Sequence, residues 1–187
     1  MSKKNMTVIS DKQLLTRLQN PGTREMGFRQ LIELYQKKVY AVIRKMVIIH
    51  EDADDLTQIT FIKAFKNIHK FQGNASLFTW LYRIATNESL NFLAKKKKRF
   101  FFNIEDHEAV MKNYVDSSPL IAGEEIERKL QKAILSLPDK QRLVFNLKYF
   151  EDLSYDEISK ITDTSIGSLK ASYHHAVKKL ENELRSE

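Results

Sequence analysis

The residues best equipped for chemistry are few, and their spacing does not suit catalysis. The histidines are His50, His69, His107, His174 and His175, and no two stand four apart as a zinc-protease pair must. There is no Cys, which excludes thiol nucleophiles, disulfides and Cys-ligated zinc. No phosphate-binding glycine loop, nucleophile elbow or dinucleotide fingerprint occurs. Paired acids fall only at expected helix starts or in an acidic stretch, where capping and solvation are their ordinary roles. No catalytic residue, metal or cofactor is expected, and the chain reads as a binding protein rather than an enzyme. What remains is clustered charge: Asp52, Asp54 and Asp55, the run Lys95-Lys96-Lys97-Lys98-Arg99, and a cationic strip near the C-terminus.

On that strip, Ile166, Leu169, Tyr173, Val177 and Leu180 recur at helical spacing. The opposite face carries Ser165, Ser168, Lys170, Ala171, Ser172, His174, His175, Lys178 and Lys179, with no acid before Glu181. Small, polar and cationic side chains on one face suit insertion into a DNA major groove. An ordinary solvated face has the same composition, and both readings stand at this level. His174 and His175 diverge by about 100° on a helix and are poorly disposed to share a metal. The cations at 95–99 suit the negative end of a helix dipole. Their number exceeds that need, so phosphate contact is the second reading.

Helices must carry these groups. Glycine and proline number only 5 and 3, too few for hairpin-rich β architecture, so an all-α fold is expected. Ser10 caps a helix over Asp11–Leu18, which Asn20-Pro21-Gly22 ends. Thr23 opens a long helix with Phe28, Leu31, Ile32, Tyr35, Val39, Val42, Ile43 and Met46 as its buried stripe. Gly27 in its first turn is a modest propensity cost. A third helix runs from about Ala53 to Lys70 on Leu56, Ile59, Phe61, Ile62, Phe65 and Ile68. After a loop at Phe71–Ala75, Ser76 caps a helix from Leu77 to about Lys97. Residues 100–123 lack periodicity and set Glu105, Asp106, Glu108 and Asp116 against Lys112; they read as a flexible acidic linker, with Phe100-Phe101-Phe102 a packing anchor. A second helical set follows. Ile126, Leu130, Ala133, Ile134 and Leu137 lie on one helix, and Pro138 starts the next, which carries Leu143, Val144, Leu147 and Phe150. A Ser154/Glu157 capping box opens a short helix to about Thr162, and the turn Asp163-Thr164-Ser165 leads to Ile166–Leu184. The last two helices form a helix-turn-helix.

The 187 residues carry 31 Lys and Arg against 24 Asp and Glu, a formal charge of +7. Residues 1–100 hold 19 basic and 8 acidic side chains, a net of +11, whereas residues 101–187 hold 12 and 16, a net of −4. The first half therefore calls for a polyanion. Any DNA binding by residues 124–187, at −1, must rely on the local strip and should be weak for that segment alone. No stretch approaches the roughly 20 apolar residues of a membrane span, because Arg44 and Lys45 interrupt VYAVIRKMVII. MSKKNMTVISDKQ lacks the apolar core of a signal peptide. A cytoplasmic protein without membrane insertion is expected.

Three fragments, in order, carry a family resemblance. Asp52-Ala53-Asp54-Asp55-Leu56-Thr57-Gln58, followed by Thr60-Phe61-Ile62-Lys63-Ala64-Phe65, resembles the second region of sigma-70 family factors, the bacterial RNA polymerase initiation factors. The segment Phe71-Gln72-Gly73-Asn74-Ala75-Ser76 through Thr79-Trp80-Leu81-Tyr82-Arg83 to Asn87 is similar to the promoter-recognition segments of the extracytoplasmic-function (ECF) group. Leu135-Ser136-Leu137-Pro138-Asp139-Lys140-Gln141-Arg142, Phe150-Glu151-Asp152-Leu153-Ser154 and Glu157-Ile158-Ser159 resemble that group's fourth region. The resemblance covers about residues 28–99 and 126–184. It implies two small helical domains. Residues 1–99 would serve core polymerase docking, −10 recognition and melting, and residues 124–187 would serve −35 recognition, with 100–123 between them.

In this family the second-region helix docks on the polymerase β′ clamp, and Asp52, Asp55 and Gln58 match those positions. Exposed carboxylates on a basic domain suit an Arg-rich protein surface better than DNA. Phe71–Ser76 matches the pocket for a base flipped from the −10 non-template strand, with Asn74 at a base edge and Phe71 either stacking or packing the loop. Arg83, Asn87, Lys95, Lys96, Lys97 and Lys98 are then the contacts to the −10 duplex and backbone, Asn87 having a buried structural role as its alternative. Ser165, Ser168, Lys170, Ala171, His174, His175 and Lys178 are the −35 contacts. The polymerase β flap, promoter DNA and an anti-sigma factor are further implied partners, and the linker would thread toward the RNA path. The chain departs from the family at Ile59, where an acid is usual, and at Asp163, where glycine is usual. His174-His175-Ala176-Val177 replaces an Arg-richer stretch. The rival reading is a stand-alone helix-turn-helix regulator, which needs neither Asp52–Gln58 nor Thr79–Asn87.

Overall fold

A computed structural model of the chain describes residues 10–47, 49–100 and 125–185. The expected linker and the Phe101-Phe102 part of its anchor lie outside the described residues. Among those described, all regular structure is helical: α1 (Asp11–Gln19), α2 (Arg24–Met46), α3 (His50–Asn67), a 3₁₀ turn (Ile68–Lys70), α4 (Leu77–Phe100), α5 (Glu125–Ser136), α6 (Asp139–Tyr149), α7 (Tyr155–Thr162) and α8 (Ile166–Arg185). None of these helices is long and apolar enough to cross a membrane.

Local chemistry sets the helix ends. Ser10 and Gln13 exchange bonds as a capping box at the start of α1, and Ser154 and Glu157 do the same for α7. The bonds from Ser154 hold the Glu157 carboxyl below its ordinary range. Ser76 Oγ accepts the Thr79 N–H at 3.0 Å and starts α4. Asp163 closes α7 with φ at 55°, the left-handed conformation for which glycine is more usual. Three boundaries differ from expectation. α3 begins at His50, where Glu51 and Asp52 already lie on the dipole's positive end. α4 continues to Phe100, so the whole lysine run is helical. Pro138 is the N-cap of α6 rather than its first helical residue.

Helices α1–α4 enclose the first part of the core. It includes Leu14 and Leu18 of α1, Leu31, Val39 and Ile43 of α2, Leu56 and Ala64 of α3, and Leu81 and Ala85 of α4. Helices α5, α6 and α8 enclose a second cluster of Ala133, Ile134, Leu137, Phe145, Ala176 and Leu180. On α8, Ala176 takes an inward position while Ile166, expected on the buried stripe, is exposed. Phe150, expected to continue the stripe of α6, is exposed as well, and Phe145 is buried instead. The two helical units do not stand apart. α6 packs on α2 and α4, and α7 packs on α4. Leu143, Leu147, Leu153, Ile158 and Ile161 thereby join the first unit's core as one apolar cluster.

Candidate nucleic-acid interface

The outer face of α3 differs most from the sequence reading. Ile59, Ile62 and Phe65, expected in the core, are 38%, 52% and 42% exposed. At about 100° per residue the six apolar positions of α3 spread round the whole helix, and only the arc of Leu56, Thr60 and Ala64 can face α2 and α4. Asp55, Gln58, Ile59 and Ile62 are all exposed, with Gln58 and Ile59 three and four residues after Asp55 and four and three before Ile62. An acid, an amide and two isoleucines thus form one strip. Asp52 does not join it. Its carboxylate is half-buried and accepts Lys96 Nζ at 3.0 Å, tying α3 to α4. The signal for the strip was in the sequence: more apolar residues than one helical arc can bury.

The loop before α4 is anchored at its base and open at its tip. Phe71 is buried, with its ring 5.0 Å from that of Trp80. Its carbonyl accepts the Gln19 side chain of α1 at 3.1 Å. Phe71 therefore packs the loop. Gly73 turns the chain with φ at 76°, and Gln72, Gly73 and Asn74 are exposed at the tip. Asn74 Nδ2 donates to Gln72 Oε1 at 3.2 Å, which pairs two amides where the sequence reading named only Asn74. A cavity of about 220 Å³ opens beside them, lined in part by Phe71, Asn74, Trp80, Arg83 and, from α7, Lys160. Arg83 is exposed and lies 3.5 Å from Asp163. Asn87, one turn on, is exposed, so it is not the buried structural residue its apolar neighbours suggested.

The helical course of the lysine run divides it. Lys95, Lys97 and Lys98 are exposed, whereas Lys96 turns back to Asp52 and lies 5.3 Å from the centre of the Phe92 ring. Lys97 Nζ donates to Asp139 Oδ2 at 2.8 Å. On α8, Ser168, Lys170, Ala171, His174, His175 and Lys178 are all exposed, as the strip requires. Ser165 is engaged locally: its Oγ accepts the Ser168 N–H at 3.3 Å and donates to Ser168 Oγ at 2.9 Å. Lys179, placed on the same strip by periodicity, donates instead to the Ser136 carbonyl at 2.8 Å and fastens α8 to α5.

The family description "Sigma-70 region 2" matches residues 31–99, and "Sigma-70, region 4" matches residues 127–180. The ECF RNA polymerase sigma factor SigW of Bacillus subtilis (strain 168) is 32% identical over 167 residues, covering 85% of this chain and 89% of that protein. The ECF RNA polymerase sigma-E factor of Escherichia coli (strain K12) is 29% identical over 185 residues, 95% of each. Among solved structures, the sigma factor RpoE in complex with the anti-sigma factor NepR from Bartonella quintana superposes with a TM-score of 0.66 at 26% identity, covering 84% of this chain and 96% of that one. CnrH in complex with the cytosolic domain of CnrY shares the fold, with a TM-score of 0.69 at 18% identity over 95% and 98%.

Proposed function

The chain belongs to the extracytoplasmic-function group of the sigma-70 family, and we propose that its two contacts, with polymerase and with promoter, fall on separate surfaces of α3 and α4. It binds core RNA polymerase and directs transcription initiation, with no catalysis of its own. The observation that carries the proposal is the exposed strip Asp55, Gln58, Ile59 and Ile62, which lies on the side of α3 opposite its buried arc of Leu56, Thr60 and Ala64.

The α3 strip docks on the β′ clamp. Two isoleucines beside one acid make the contact more apolar and less salt-sensitive than a carboxylate cluster. Asp52 contributes by holding Lys96 and the α3–α4 angle. The loop tip captures a base of the melted −10 strand. Opening duplex costs a few kcal/mol per unstacked base, and the Asn74 and Gln72 amides beside Trp80 offer hydrogen bonds and a ring in exchange. Arg83, Asn87, Lys95, Lys97 and Lys98 follow the backbone. On α8, Ser168, Lys170, Ala171, His174, His175 and Lys178 read the −35 element, Ser165 caps the helix, and Tyr149 is the exposed ring offered to the β flap. The division is residues 1–99 for docking and −10 opening and 124–187 for −35 recognition, joined by 100–123. A relative of the same fold bound to an anti-sigma factor supports a protein antagonist for this chain as well.

Reconstituted transcription with core polymerase on a promoter library tests the assignment. Ile62→Asp should weaken core binding about tenfold or more, because an unpaired charge would meet an apolar contact. Arg83→Ala should still form holoenzyme yet fail to open promoters. Full core affinity for Ile62→Asp would overturn the docking strip, and normal opening by Arg83→Ala would overturn the strand-reading face.

A further inference from the structure

We propose that Gln19 of α1 is a positioning residue for −10 base selection, and that α1 serves as the mount of the loop before α4. This role rests on the base capture proposed above for the tip of that loop, Gln72 to Asn74. Gln19 lies 52 residues before Phe71 in the chain, yet its Nε2 donates to the Phe71 carbonyl at 3.1 Å. The peptide unit is planar, so a bond to that carbonyl fixes the plane joining Phe71 to Gln72. It thereby fixes the direction in which the tip leaves the helices.

Phe71 is held at two further points. Its N–H donates to the Ile68 carbonyl at 3.1 Å, and its ring lies 5.0 Å from that of Trp80. Backbone donor, backbone acceptor and side chain are thus all engaged where the loop begins. From there the tip projects outward, with Gln72, Gly73 and Asn74 exposed. Leu15, one turn before Gln19 on the same face of α1, backs the tip: a Cβ on Gly73 would come within 3.7 Å of Leu15 Cδ2. Rotation of the Phe71–Gln72 peptide would re-aim the Gln72 side chain. It would also move Asn74, whose Nδ2 donates to Gln72 Oε1 at 3.2 Å, and both residues line the cavity beside Trp80.

The end of α1 leaves Gln19 available for this. The last carbonyls of a helix need donors from beyond it. Here the Asn20 N–H donates to the Thr16 carbonyl at 3.2 Å, the Thr23 hydroxyl to Arg17 at 3.0 Å and Arg24 Nε to Leu18 at 3.3 Å. The Gln19 amide is not required for that end. α1 is itself a firm base, because Leu14 and Leu18 are fully buried and Gly27 lets α2 pass close against its backbone. A group held on a packed helix positions its partner more closely than one held on a loop. Gln19 is exposed, so replacing it should cost little stability.

The test is transcription by reconstituted holoenzyme on four promoters that differ only at the most strongly selected −10 base. Gln19→Glu keeps the side chain's shape but sets an acceptor against a carbonyl. Preference for the favoured base should fall about fivefold, as expected for one lost hydrogen bond. Core-polymerase affinity and the urea midpoint should stay near the parent values. Gln19→Lys supplies a donor of similar reach and should restore the preference. Its added charge would shift binding to all four promoters alike and leave their ratio intact. Unchanged preference in Gln19→Glu overturns the positioning role, and so does a loss that Gln19→Lys does not restore. A loss that comes only with weakened core binding or a lowered midpoint also overturns it, since Gln19 would then be merely structural. Asn74→Ala separates this role from the base capture beneath it. Preference lost in Asn74→Ala but kept in Gln19→Glu removes the positioning role alone. Preference kept in Asn74→Ala removes base capture by the loop instead.

Discussion

At Gly27, α2 passes close against the backbone of α1. A Cβ there would meet Arg17 Cβ at 3.0 Å and the backbone of Arg17 and Leu18 at 3.1 Å. Two effects oppose each other at this position. Alanine raises helix propensity by about 1 kcal/mol, while overpacking against a neighbouring backbone costs about 1–3 kcal/mol. The atoms that must yield are mostly main chain, so the clash should win. Gly27→Ala should lower stability by about 1–2 kcal/mol, read as a lower urea midpoint at unchanged slope. A raised midpoint would mean that propensity dominates. The residue matters to the candidate site as well, because α1 carries Gln19, whose side chain holds the Phe71 carbonyl at the base of the loop before α4. Sequence alone registered only the propensity cost, since nothing local to Gly27 announces a helix crossing over it.

At the scale of the element, the lysine run of α4 shows how a helix sorts identical side chains. Lys95, Lys97 and Lys98 point outward and Lys96 points to Asp52. Alanine at the three outward positions should lower the salt slope of promoter binding by about 0.9 for each phosphate no longer neutralised. Lys96→Ala should leave the slope unchanged and lower thermal stability instead, because it strands a half-buried carboxylate. The check is promoter affinity by anisotropy across a salt series, and equal slopes for both variants would refute the division. This contrast also marks what was legible beforehand. Helix starts could be read at Ser10, Ser76 and Ser154 because caps are settled within four residues. The exposed polar strip on α8 could be read because its polar face is continuous. The inward turn of Lys96 could not, since it depends on an acid more than 40 residues away. The surplus of apolar residues on α3 was legible, but not that Ile59 and Ile62 would be the ones left exposed, because periodicity does not say which arc a neighbouring helix will cover. The contact of α6 and α7 with α2 and α4 was equally hidden, as Asn146 and Lys45 meet across 101 residues of chain.

For the whole molecule, the question is which force keeps the two helical units together. The ion pairs Arg83–Asp163 and Lys97–Asp139 each include a largely exposed partner, at 91% and 54%. Such pairs contribute about 0–1 kcal/mol and are screened by salt. The apolar cluster shared by the units includes Leu147, Ile158 and Ile161, all fully buried. Burying one side chain of this kind is worth about 1.5–3 kcal/mol and is indifferent to salt. Apolar burial should therefore dominate, with the ion pairs deciding only the register of the surfaces. Raising salt from about 0.05 to 0.5 M should abolish single-strand binding yet leave the small-angle scattering profile of the free chain compact. Expansion over that range would show that charge, not apolar area, holds the two units together. The distinction fixes what can open the molecule. DNA offers chiefly phosphate charge, which competes for Arg83 and Lys97 but not for Leu147. A protein surface that competes for apolar contact can separate the units, whereas DNA or added salt alone should not.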